Sequence, residues 1–102
     1  MRRVNVPEEL RPAIASALEA LVRGERPELL TWVHTYGSAG ATLVEQPHAI
    51  WTHDQTDVVA VDEGGWWIVL PLWTADEAPS DLSAEVEVSS NGVARIRDVH
   101  VL

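Results

Sequence analysis

The sequence predicts an α+β domain: two N-terminal helices packed on a curved antiparallel meander sheet of four to six strands. Three observations carry that expectation. Up to residue 37 the apolar residues recur at the spacing of three and four that marks one face of a helix. From residue 41 onward they gather in short runs rich in valine, isoleucine and tryptophan. The breaks between those runs hold glycine with aspartate or asparagine, the residues of hairpin turns. The chain has 102 residues, 46% hydrophobic and 23% charged, which is the make-up of one ordinary globular domain. Residues 1–37 form its helical part and residues 41–102 its sheet.

Pro7-Glu8-Glu9 opens the first helix, with proline in the first turn and carboxylates beside the positive end of the helix dipole. Leu10, Ile14, Leu18, Leu21 and Val22 make one apolar stripe, and Gly24 ends it. Pro12 lacks the N–H that would bond back to Glu8, so the first turn should stand apart and the regular helix should run from about Pro12 to Arg23. Pro27 opens a second helix with Leu29, Leu30, Val33 and Tyr36 facing inward, closed by Gly37-Ser38-Ala39-Gly40. Ala41–Val44 and Ala49–Thr52 read as short strands separated by Pro47. Val58–Val61 and Trp66–Leu70 flank Asp62-Glu63-Gly64-Gly65 and predict a hairpin, and Ala75–Ser83 is one extended polar loop.

The last hairpin is specific enough to fix a register. With Ser90-Asn91-Gly92 as a three-residue loop and Gly92 left-handed, Glu87 faces Arg95, Glu85 faces Arg97, Val88 faces Ala94 and Val86 faces Ile96. A two-residue loop would instead set Val88 against Arg95 and Glu87 against Ile96. The opposite-charge pairs select the longer loop.

Absences exclude much chemistry. Without cysteine there is no disulfide framework, no thiolate nucleophile and no thiolate metal site. Without lysine there is no Schiff base, and Gly37-Ser38-Ala39-Gly40-Ala41-Thr42 is not a phosphate loop. The G-x-S-x-G elbow and the dinucleotide fingerprint are missing as well. No apolar run approaches the roughly 20 residues that span a bilayer, and Met1-Arg2-Arg3-Val4-Asn5 leads into no secretory segment, so a cytoplasmic protein is expected.

The net charge of −9 is unevenly spread: residues 1–27 carry five arginines against four carboxylates, whereas residues 28–94 carry eleven carboxylates and no basic side chain except histidine. Such a surface repels nucleic-acid phosphates and anionic membranes and attracts a basic partner protein. Excess acid also keeps a small protein soluble, and arginine-only, alanine-rich usage is that of a GC-rich bacterial genome.

Two stretches hold the candidate site residues. Residues 45–57, Glu45-Gln46-Pro47-His48 through Asp54-Gln55-Thr56-Asp57, place two histidines and three carboxylates close together. On a strand His48 and His53 point to opposite faces and share no metal. His53 with Asp54 or Asp57 makes an imidazole–carboxylate base at a strand end, although Asp54-Gln55-Thr56-Asp57 is also ordinary turn composition. In the second stretch, Trp66, Ile68, Leu70 and Leu72 share one face while Trp67, Val69, Pro71 and Trp73 share the other, which Val58 and Ala60 extend. A sheet covered on one side by helices has no use for a second apolar face unless it meets a pocket, a partner or its own loops. The expected binding residues are therefore Trp51, Trp67, Val69, Pro71 and Trp73, with Asp62 and Glu63 at the adjacent turn. No metal and no cofactor is expected.

Leu72-Trp73-Thr74, Pro79-Ser80-Asp81-Leu82-Ser83, the alternating strand that follows and the closing Ile96-Arg97-Asp98-Val99-His100-Val101-Leu102 resemble a family of small bacterial proteins of unknown function, the DUF7668-like group. The resemblance covers about the last thirty residues. It implies a small α+β domain, and the helices-then-meander order is similar to cystatin-like and NTF2-like folds. It brings no activity with it.

The expected function is a non-catalytic protein-interaction module, in its most concrete form an acidic immunity-type or antitoxin-like inhibitor of a basic partner. A homodimer through the Trp67 and Trp73 face is the simplest cover when no partner is present. The rival reading is a small-molecule-binding or minor enzymatic domain, with Trp51, Trp67 and Trp73 around a pocket and His53 with Asp54 or Asp57 as base.

Overall fold

The structure, a computed structural model, describes residues 2, 3 and 5–101; Met1, Val4 and Leu102, which the expected domain bounds include, lie outside the described residues. Among these residues the chain forms a five-stranded antiparallel sheet in the order β1-β2-β3-β4-β5, with one principal helix, and so has a mixed α+β fold. The strands are β1 (Arg2–Arg3), β2 (Asp57–Ala60), β3 (Trp66–Pro71), β4 (Leu82–Val88) and β5 (Ala94–Val101). The two-residue β1 was not legible in the sequence; its backbone pairs Arg2 with Val59 and Arg3 with Val58.

Pro7 and Pro12 divide the start of the helical part as their missing donors require. A 3-10 turn, Glu8–Leu10, runs into α1 (Arg11–Val22), with Pro12 in its first turn. Ile14, Leu18 and Leu21 are buried along one side of α1, and Gly24 follows with φ +80 as a left-handed helix end.

The second helix is a correction. A 3-10 turn at Pro27–Leu29 and a single α turn, α2 (Thr31–His34), replace the expected continuous element, with Leu30 between them at φ −98, ψ 7. Thr31, Trp32, Val33, Thr35 and Tyr36 are β-branched or aromatic, and such a run propagates a helix poorly. The inward residues stand nonetheless: Leu30 and Val33 are core, and Leu29 and Tyr36 pack against it.

The two short strands expected before residue 57 are also corrected. Leu43 makes one isolated antiparallel bridge to Thr74, and His48–Trp51 is a 3-10 helix. Pro47, at φ −76, ψ 163, opens that turn, and its carbonyl accepts the Ile50 amide at 3.0 Å. Ile50 and Trp51 are neighbours in sequence and both are buried.

The hairpins are as the turn residues dictate. Val61 N–H donates to Gly65 O at 3.0 Å across Asp62-Glu63-Gly64, where Gly64 has φ +88. The β2–β3 register sets Val58 opposite Ile68 and Val59 opposite Trp67. In the last hairpin Gly92 has φ +85 and the Ser89 amide donates to Val93 O at 3.0 Å. Val88–Ala94, Glu87–Arg95 and Val86–Ile96 are partners as expected. Beyond them the register shifts, and Glu85 lies opposite Asp98 rather than Arg97. A β-bulge is the cause: Arg97 and Asp98 together span one partner position, which turns Val99 inward to 1% exposure.

The core lies between the sheet and α1. Ile14, Leu18, Leu21 and Val33 from the helical part join Val58, Ile68, Leu70, Leu82, Ala84, Val86, Ile96 and Val99 from the sheet. α1 and α2 both pack on β5, and β5 is a sheet edge whose exposed Arg95, Arg97 and Asp98 discourage pairing with another chain's strand.

Candidate functional site

Strand alternation fixes what the second face of the sheet carries. Because Val58, Ile68, Leu70 and Val86 are fully buried beneath the helices, their odd-numbered neighbours point away from them. One row across that face reads Val59, Trp67, Glu87, Arg95, and the next reads Asp57, Val69, Glu85, Asp98. Val59 and Val61 are 36% and 43% exposed, Trp67 and Val69 are half-buried, and Glu87 is exposed. The apolar centre is thus Val59, Trp67 and Val69. Asp62 and Glu63 are exposed at the β2–β3 turn beside it.

This face differs from the expected one in five residues, one of them Ala60, which pairs with Trp66 and so lies on the Val58 side of the sheet. Val58 is a core residue, and Val59 takes its place beside Trp67, because the hairpin register pairs odd positions with odd. Pro71 is buried, so the chain itself closes that end of the row. Trp73 lies past the end of β3 and packs against the core. Its backbone is clamped by Gln46, which donates to Trp73 O at 3.0 Å and accepts the Trp73 amide at 2.8 Å. Trp51 is 8% exposed within the core, with the Arg11 guanidinium 6.0 Å from its ring centroid. Conversely, Trp32 on α2 is 51% exposed, an aromatic the helical reading did not single out.

His53 meets the edge of the Trp73 ring, with centroids 5.5 Å apart at 85°, and its Nδ1 accepts the Gln55 amide at 3.1 Å. Asp54 is an exposed turn residue, and Asp57 begins β2 opposite Val69. The expected alternation of His48 and His53 along a strand falls with the strand, since His48 begins the 3-10 helix.

A cavity of about 290 Å³ opens between α1 and the 45–51 segment, lined by Ala15, Leu18, Val22, Ile50 and Trp51 with Glu19, Arg23, Glu45 and Gln46 at its polar side. It includes Trp51 but neither Trp67, Trp73 nor a histidine. Arg23 is engaged by Glu25 at 2.5 Å and Glu19 at 3.9 Å, and the hydrogen bond to Glu25 raises its pKa further.

The buried hydroxyls are structural. Thr56 donates to Ile50 O at 2.6 Å, Ser80 donates to Leu72 O at 2.7 Å, and Thr74 accepts the Glu77 amide at 3.1 Å. No buried side-chain N or O among the described residues lacks a partner. The bulge, by contrast, gathers three titratable groups the sequence reading did not combine: Glu85, Asp98 and His100, with Glu85 Oε2 2.8 Å from His100 Nε2. The signal for it was Ile96 and Val99, apolar residues three apart in a strand, with a break in alternation between them.

These features define a small α+β domain with one helix-covered and one helix-free sheet face. The chain belongs to the family described as a domain of unknown function (DUF7668), whose family model matches residues 6–102 and so takes in the helical part as well as the C-terminal third. Neither a curated protein nor a solved structure matches it. Among the described residues no helix is long and apolar enough to cross a membrane.

Proposed function

We propose that this domain is a non-catalytic protein-interaction module that docks a basic partner protein on the helix-free face of its sheet. The observation that carries the reading is the arrangement of that face: Val59, Trp67 and Val69 at the centre, bordered by Glu85 and Glu87 and by Asp62 and Glu63 at the turn. A half-buried tryptophan at the centre of such a face is the residue type that anchors interfaces. The carboxylates around it, in a chain of net charge −9, choose a cationic partner and speed its approach. In its most concrete form the module is an immunity-type or antitoxin-like inhibitor acting inside a bacterial cell. The helices-then-meander order is the basis for relating its layout to cystatin-like and NTF2-like folds, with the sheet curving around the helices.

Photo-crosslinking in cells of the native host tests this reading. A photoreactive amino acid at position 59 or 69 is expected to capture one basic protein, and the same group at Thr35, exposed after α2, is expected to capture none of it. Equal capture from both places refutes the docking face. Crosslinks to a second copy of this chain identify the homodimer instead, and sedimentation of wild type against Trp67→Glu then reads out its dissociation.

One observation favours a second reading. The 290 Å³ cavity beside Trp51 is of a size that holds a small apolar molecule. It brings no histidine to that molecule, so the reading is binding without the base expected at His53.

A further inference from the structure

We infer that Glu85, Asp98 and His100 form a binding site for a divalent transition-metal ion, with zinc the natural probe. Their ligand atoms, one from each side chain, all lie within 4.8 Å of one another. The three residues come from two adjacent strands, and the β-bulge brings them together. In unshifted register Arg97 would face Glu85 and neutralise it; the bulge puts Asp98 there, so two carboxylates oppose each other directly. Among the described residues neither Arg95 nor Arg97 forms an ion pair with Glu85 or Asp98. The two carboxylates and the His100 imidazole, which already pairs with Glu85, thus converge on one place in the sheet.

The imidazole is presented as a metal ligand would be. Its Nε2 lies 2.8 Å from Glu85 Oε2, where Nε2–H donates to the carboxylate, and its Nδ1 lies 3.4 Å from Val101 O, so the ring is held with Nε2 facing the carboxylates. A metal ion that takes Nε2 and Glu85 Oε2 as ligands displaces the proton the two now share. Asp98 Oδ1 accepts the Val99 amide at 2.9 Å, which orients the carboxylate and leaves its second oxygen for a cation. The side chains of Glu85 and His100 are 26% and 25% exposed, partly withdrawn from water yet reachable by an ion. One imidazole and two carboxylates suit zinc, manganese or ferrous iron, with remaining positions for water or for a group from another molecule.

Calorimetric titration of the full chain with zinc chloride in a non-coordinating buffer tests the assignment. One zinc per chain is expected, weakened at least about tenfold in His100→Ala and in Glu85→Gln, and unchanged in His53→Ala. Asp98→Asn, at an exposed position, provides a variant whose fold is not in question, and it too should weaken binding. In the unsubstituted protein, manganese should broaden the NMR signals of residues 85, 98 and 100 first. Absence of saturable zinc binding shows that the three groups hold no metal ion, and the inference fails. Binding that survives His100→Ala and Asp98→Asn unchanged places the ion elsewhere and overturns it equally.

Discussion

Replacing Gly65 with alanine is expected to destabilise the protein strongly although no charge and only one methyl group is added. Gly65 precedes β3 and lies against β4: a Cβ there would sit 2.5 Å from the carbonyl oxygen of Val88, when real Cβ atoms essentially never approach closer than 3.0 Å. At least half an ångström of relief must come from the backbone. Val88 cannot yield by itself, because it is 1% exposed and paired to Trp66 on one side and Ala94 on the other. Overpacking of this kind costs about 1 to 3 kcal/mol. In a domain of this size each kcal/mol moves the melting temperature by about 4 to 8 °C, so the expected drop is roughly 5 to 20 °C. Gly92→Asn is the control: φ is +85 there, asparagine adopts that conformation at little cost, and a Cβ meets nothing within 4 Å. Thermal and urea unfolding of both variants read the difference. If Gly65→Ala stays within about 0.5 kcal/mol of wild type, the close approach of β3 and β4 at this end, and with it the row joining Val59 to Glu87, is wrong.

Further outcomes follow from individual contacts. Gln46→Ala should lose about 1 to 3 kcal/mol in urea unfolding, since it strands the Trp73 amide and leaves the Trp73 carbonyl only the 3.5 Å bond from the Val44 amide. Thr56→Val should cost about 1 kcal/mol by removing the buried bond to Ile50 O, without change in volume. Exchanging Glu87 and Arg95, directly opposed and both exposed, should change stability by less than about 1 kcal/mol, because solvent screens the pair. Val99→Asp should prevent cooperative folding as judged by near-ultraviolet dichroism, since the bulge turns that side chain into the core at 1% exposure.

Where local chemistry decided the structure, the sequence could be read. The break at Pro12, the buried stripe of α1 and the two glycine-bearing hairpins rest on residues within a few positions of one another. The residues before β2 could not be read in this way. Their conformation is set by Gln46 bonding to Trp73 across twenty-seven positions and by Leu43 bridging to Thr74, contacts that leave no periodic trace. The candidate site divides along the same line. Trp67 and Val69 were legible because strand alternation is local, whereas Val59 in place of Val58 depended on the register of the partner strand. His53 drew attention for its neighbours in sequence, yet the histidine that meets a carboxylate is His100, brought to Glu85 from fifteen positions away. The bulge at Arg97 and Asp98 was legible in principle, because Val99 breaks the alternation that Ile96 begins.

A basic partner that recognises the helix-free face leaves a different footprint from one that recognises only the acidic surface. NMR titration with a soluble peptide of alternating arginine and leucine separates the two. Docking on the face gives shift changes centred on Val59, Trp67 and Val69 and reaching Asp62 and Glu63, abolished by Trp67→Glu although that substitution adds negative charge, and weakened by salt. Shifts centred instead on the exposed acids Asp76, Glu77 and Asp81, or binding strengthened by Trp67→Glu, would contradict it.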